Sequence, residues 1–151
     1  MKNLVLLGGG PHARACLDVV WTQGMYRPAG ILEKQGSPGA SILGVPIIGT
    51  DDDLPALVKK KHCFLVTVGQ IKTARTRIRL FDRVIELGGE LPPVISPKSH
   101  LSSSSKLGIG SIIMHFAFVG AGSIIGKNCI INTGSIVEHD STVGDHCHVS
   151  T

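Results

Sequence analysis

The chain has 151 residues, 42% hydrophobic and 17% charged, with a formal net charge of +4. That balance fits a globular chain of one ordinary domain or two small ones and excludes a disordered or fibrous one. Scattered basic residues and only 4% aromatics argue against a nucleic-acid surface built on base stacking.

The opening Met1–Leu7 is basic and then apolar, but the run ends at Gly8-Gly9-Gly10. It is too short for a signal-peptide core or a membrane span, and predicts a buried strand over Leu4–Leu7. A helix over Ala13–Gln23 turns Leu17, Val20 and Trp21 to one face, with Gly24 as its stop. Ala29–Leu32 reads as a second strand, and Gly44–Thr50 as part of a loop rich in Gly, Ser and Pro. Thr50-Asp51-Asp52-Asp53 caps a short helix carrying Leu54, Leu57 and Val58. A third strand follows at Cys63–Val68, then a helix over Lys72–Leu87 with Ile78, Phe81 and Ile85 inward. Lys59-Lys60-Lys61 and the series Arg75, Arg77, Arg79, Arg83 read as solvated faces. Residues 1–92 thus predict a small Rossmann-like α/β domain whose parallel sheet is covered on both faces.

From Ile95 the period becomes six. Ile95, Leu101, Leu107, Ile113, Val119, Ile125, Ile131, Val137, Val143 and Val149 keep one register, and a small residue such as Ser111, Ala117, Ser123 or Cys129 stands four places after almost every one. Glycines beside the column, among them Gly110, Gly122 and Gly134, suit tight corners. Residues 93–151 predict a three-sided prism of short parallel strands, about three coils high.

Gly8-x-Gly10-x-x-Ala13 lies between a strand and a helix, where glycine lets an anion approach free N–H groups at the helix N-terminus. Glu33, with Lys34 beside it, ends the second strand within reach of a ribose hydroxyl. A nucleotide sugar, a dinucleotide and a purely structural turn all fit the pattern; the dinucleotide lacks a second nucleotide-binding half, since hexads begin at Ile95. His139 falls near a prism corner, outward, between Glu138 and Asp140, a setting that suits a general base or a plain surface histidine. In His146-Cys147-His148, strand alternation turns Cys147 inward and the histidines outward, so no metal is expected. Cys129 and Cys147 read as stacked core filler. Four cysteines without C-x-x-C spacing, and no secretory signal, point to reduced thiols in the cytoplasm.

Taken together, Gly8–Ala13, Gly44–Thr50, Val68-Gly69, Ile95-Ser96-Pro97 and above all Asn132–Asp140 resemble the sialic-acid O-acetyltransferase and UDP-4-amino-sugar N-acetyltransferase family, whose coils form a left-handed parallel β-helix. The resemblance implies a homotrimer with active sites between adjacent β-helices, acetyl-CoA as donor, and a UDP-sugar or sialic-acid-like acceptor for bacterial surface glycans. It implies His139 as general base, oriented by Asp140 with Glu138. It further implies sugar-nucleotide contacts from Gly8, Gly9, Gly10, Pro11, His12, Glu33 and Lys34, with Asn132 near the acceptor amine and His148 near the acetyl-CoA thioester.

There are two departures. Pro11 replaces a glycine common in the family and removes one backbone donor. Family helices also run several hexads further than Thr151, so this chain reads as C-terminally truncated, its open end disposed to associate or fray. The rival expectation is a sugar-nucleotide-binding or trimer-forming module that lacks acetyl transfer because the later coils are missing.

Overall fold

A computed structural model of the chain describes residues 1–34 and 39–151. The first part is a five-stranded sheet of β1 (Lys2–Leu7), β2 (Tyr26–Leu32), β3 (Ser41–Ile42), β4 (Val45–Gly49) and β5 (Cys63–Val66), in the order β3-β4-β2-β1-β5. All pairings are parallel except β3 with β4. Alternation along β1 divides its buried side chains. Leu4 and Leu6 join Ala13, Cys16, Leu17 and Val20 of α1 (Pro11–Gln23), while Val5 and Leu7 join Leu80, Phe81 and Val84 of α3 (Arg75–Glu86). The short α2 (Leu54–Lys59) follows a single 3₁₀ turn at Asp51–Asp53, and Thr50 with Asp53 forms the capping box ahead of it. Gly24 ends α1 in the left-handed conformation, its N–H donating to the Val20 carbonyl.

Several expectations need correction. Gly44–Thr50 is not loop: Val45–Gly49 forms β4, with Ile47 in register with Ile31. Trp21 is 45% exposed, because Cys16, Leu17 and Val20 already fill the buried stripe of α1. The third helix begins at Arg75 rather than Lys72, and buries Arg77, Leu80, Phe81 and Val84 while Ile85 faces solvent. Arg77 therefore does not belong to a solvated face.

The second part is the left-handed β-helix. Its two-residue strands are β6 (Val94–Ile95), β7 (His100–Leu101), β8 (Lys106–Leu107), β9 (Ile112–Ile113), β10 (Phe118–Val119), β11 (Ile124–Ile125), β12 (Ile130–Ile131), β13 (Ile136–Val137), β14 (Thr142–Val143) and β15 (His148–Val149). Each ends on a hexad aliphatic, and each pairs in parallel with strands eighteen residues away, giving the faces β13-β10-β7, β14-β11-β8 and β15-β12-β9-β6. Ala117, Val119, Ile125, Cys129 and Ile131 fill the prism.

The outward residues distinguish the faces. Val94, Ile112 and Ile130 are fully buried in the core that α1 shares, and His148 continues their column. His100, Phe118 and Ile136 on a second face are exposed. Residues 110, 116, 122, 128, 134, 140 and 146 all have φ between 53° and 71°, so every one of these corners is left-handed; glycine occupies three of them, and Phe116, Asn128, Asp140 and His146 the rest.

Candidate active site

A cleft of about 720 Å³ opens where β1 meets α1. Gly8 and Gly10 form its turn, Glu33 and Lys34 one wall, and the Gln70–Thr73 segment another. Gly8 needs its freedom: φ is +110°, its N–H donates to the Leu32 carbonyl at 2.9 Å, and its own carbonyl accepts from Thr67 Oγ1 at 2.7 Å. Gly10 has ordinary extended geometry as the N-cap of α1, and Pro11 occupies the first helical position, where no N–H is needed. Glu33 is not a free ribose ligand in this arrangement. Its carboxylate accepts from the Gly9 N–H and, at 2.9 Å, from the Lys34 N–H, so it shapes the turn from within.

His12 opens α1 on the cleft floor. Burial holds its pKa down to about 4, with the charge of Arg77 and then His148 adding to the effect, and its Nε2 is buried without a partner among the described residues. His148 also lines this cleft. Asn132 Nδ2 donates to His148 Nε2 at 3.1 Å and His148 Nδ1 to the Gln70 carbonyl at 2.9 Å, which fixes the tautomer with the proton on Nδ1. Seven of the residues singled out from sequence, Gly8, Gly10, Pro11, His12, Glu33, Lys34 and His148, therefore share one wall system, with Gly9 and Asn132 hydrogen-bonded to members of it.

His139 does not join them. It stands at the corner after β13, its Nδ1 2.9 Å from Asp140 Oδ2, with side chains 74% and 81% exposed. The bond to Asp140, then the charges of Asp140 and Glu138, raise the His139 pKa above its ordinary value. Asp140 adopts φ 57°, which a short polar side chain tolerates well, and that backbone turn aims its carboxylate at the ring.

Two features escaped the sequence reading. Asp18 Oδ2, His115 Nε2, His115 Nδ1 and Ser96 Oγ form a chain with links of 2.9 and 2.6 Å. Ser96 is 1% exposed and accepts from the Lys98 N–H, so the chain is a strut between α1 and the first coil and offers no nucleophile. No spacing signal exists for partners 97 residues apart. Arg77, by contrast, had one, since it shares its helix face with Phe81 and Val84. Among the described residues, no group of three or more His, Cys, Asp or Glu is placed to hold a metal, and no helix is long and apolar enough to cross a membrane.

The family described as the PglD N-terminal domain matches residues 3–84, more than half of the chain. The chain belongs to the PglD family of sugar acetyltransferases. Comparison with curated proteins gives no match. Among solved structures, the acetyltransferase domain of PglB from Neisseria gonorrhoeae is similar, with 30% identity and a TM-score of 0.91 over 99% of this chain and 71% of that one. The same domain in complex with acetyl coenzyme A aligns with a TM-score of 0.86 at 30% identity, over 97% and 69% of the two chains. PerB from Caulobacter crescentus, in complex with CoA and GDP-perosamine, has 32% identity and a TM-score of 0.87 over 98% of this chain and 68% of that one. The likeness spans both the α/β part and the coils, so this PglD-family chain is an acetyltransferase by fold and by sequence together.

Proposed function

We propose that the chain transfers the acetyl group of acetyl-CoA to the amine of a sugar carried on a nucleoside diphosphate, forming an amide. The observation that carries this reading is the presence in one chain of a glycine-turn cleft of nucleotide size and a solvent-facing His139–Asp140 pair. PerB with CoA and GDP-perosamine supports an amino-sugar acceptor. A free sialic-acid-like sugar lacks the phosphate that would use the turn.

In this scheme the amine nitrogen attacks the thioester carbonyl carbon while His139 Nε2 takes the proton that nitrogen loses. Asp140 and Glu138 stabilise the imidazolium, and a backbone N–H faces the oxyanion. The C–S bond then breaks, the proton passes from His139 to the departing sulfur, and CoA leaves as a thiol. Residues 1–92 hold the nucleotide through the Gly8–His12 turn and Lys34, with Glu33 bracing that turn from within, and Asn132 and His148 stand at the sugar end. Residues 93–151 supply His139, and the reaction takes place in the cytoplasm.

His139 lies outside the cleft, so a second copy brings base and acceptor together in a homotrimer. An exposed apolar strip supports this: Phe116 is 68%, Phe118 37% and Ile136 65% exposed, with His100 stacked on Phe118 at 4.8 Å. Replacing Ile136 by Lys should lower the mass seen by light scattering; an unchanged mass would remove the strip from the interface.

The test of the activity is thiol release from acetyl-CoA with GDP- or UDP-linked amino sugars against free sialic acid. Release only with the free sugar would overturn the nucleotide reading. Thermal shift separates the enzyme from a binding module, because an enzyme is stabilised by acetyl-CoA as well as by the nucleotide.

A further inference from the structure

Arg77 is 1% exposed, one of the largest side chains in the interior. Its Nη1 donates to the carbonyls of Val66 at 3.0 Å and Val68 at 2.7 Å, and its Nη2 to Asn128 O at 3.1 Å and Oδ1 at 2.8 Å. Every acceptor is neutral. Among the described residues no carboxylate pairs with it, and its Nε is buried without a partner. A buried cation in such surroundings is costly unless a counter-charge arrives, because four carbonyl dipoles replace only part of its hydration.

Its location says where that counter-charge would sit. Val68 lines the cleft, and a Cβ on Gly8 would strike the Val68 side chain, so the two residues are in close contact. Thr67, between the two carbonyls that Arg77 holds, donates to the Gly8 carbonyl. The guanidinium thus lies one residue behind the glycine turn. Its field reaches the first turns of α1, where it opposes protonation of His12 and counters the rise that burial imposes on the Cys16 thiol. Burial lowers the Arg77 pKa itself only to about 10, so it stays charged at neutral pH. In a medium of low dielectric such a charge acts over a longer range than an exposed lysine, and in the same sense as the N-terminal dipole of α1.

We propose that Arg77 is a positioning residue for the substrate diphosphate, a fixed charge behind the Gly8–His12 turn that the bound anion completes and that Asn128 ties to the coils. The inference rests on the reading that a nucleoside diphosphate occupies this cleft. It predicts that the cleft distinguishes diphosphate from nucleoside by a charge that salt does not screen.

Calorimetric titration of the full chain with UDP and uridine, and with GDP and guanosine, tests it. Asn128→Asp is nearly isosteric, fits the left-handed corner, and sets a carboxylate on the guanidinium, at the loss of the Nδ2 contacts to the Arg77 carbonyl and to His146 Nδ1. Diphosphate affinity should fall about tenfold or more and nucleoside affinity should stay within about twofold. In the unaltered chain, the preference for diphosphate should largely survive about 1 M salt, which screens the exposed Lys34 and Lys72. A folded Asn128→Asp chain that keeps its preference overturns the role of Arg77 alone. If that variant does not fold, loss of the preference at high salt in the unaltered chain overturns it instead. Failure of both UDP and GDP to bind the unaltered chain overturns the cleft reading and this inference together.

Discussion

The cleft beside α1 and the corner at His139 are held by opposite means. In the cleft the polar groups are fixed by their own chain: Glu33 takes the Gly9 N–H, Thr67 takes the Gly8 carbonyl, and Arg77 is locked in the interior. At the corner one hydrogen bond of 2.9 Å joins two side chains that are both mostly in water. Exposed ion pairs are weak, and proton transfer gains most where water is excluded. The cleft is therefore preorganised within a single chain, whereas the proposed acid–base pair would gain its dry surroundings only from a covering surface.

Replacing His139 by Ala should break the comparison most sharply. Turnover should fall roughly 10²-fold to 10⁴-fold, the usual size for a positioned base, with UDP or GDP affinity unchanged. Full turnover in the variant would remove His139 from the chemistry. Next comes the glycine turn. A Cβ on Gly10 meets nothing within 4 Å, so Gly10→Val should fold normally yet weaken nucleotide binding about tenfold by entering the cleft. Gly8→Ala should instead cost about 1–3 kcal/mol in denaturant unfolding, since φ +110° and Val68 both oppose it. Equal stability of the two variants would show that the turn is looser than described.

The pH profile gives a smaller effect. A general base works in its neutral form, so the rate should fall as pH drops through the raised pKa of His139. Asp140→Asn removes the leading cause of that rise and should move the acid limb to lower pH; an unmoved limb would assign the titration to another group. Smallest of all, Asp18→Asn weakens the strut to His115, whose aspartate is 67% exposed, and should cost about 0.2–1 kcal/mol without altering turnover.

The coils were legible because a repeat reports the same environment many times: the aliphatic column from Ile95 to Val149 falls at the end of every short strand. The α/β part offers each element only once. On α3 the most hydrophobic residues, Ile78 and Ile85, suggested the inward face, but the helix packs on both the sheet and the coils. Its buried stripe runs through Arg77, Leu80, Phe81 and Val84, and a cation held by carbonyls looks in sequence like a solvated one. Gly44, Pro46 and Gly49 hid β4 behind turn-forming residues, although register with Ile31 outweighs them. In the site, the glycine turn was visible as a motif. That Glu33 would support it from within was not, because the carboxylate's partner is set by the return of the chain through β4.

The left-handed corners also fix what insertions and deletions can do. Backbone bonds tie residue 140 to 121, 134 to 115 and 128 to 109, so each prism edge collects corners eighteen residues apart. One edge, with Asn128 and His146, meets Arg77 and Phe81 of α3; another carries Phe116; the third carries Asp140. Removing one hexad upstream of His139 would rotate it to the place of Thr133, on the Phe116 edge, and adding one would turn it toward α3. Removing eighteen residues would keep it on its own edge, about 4.8 Å lower along the prism. Length variation before the motif is thus quantised in whole coils, and any other change sends the same histidine to a different neighbour.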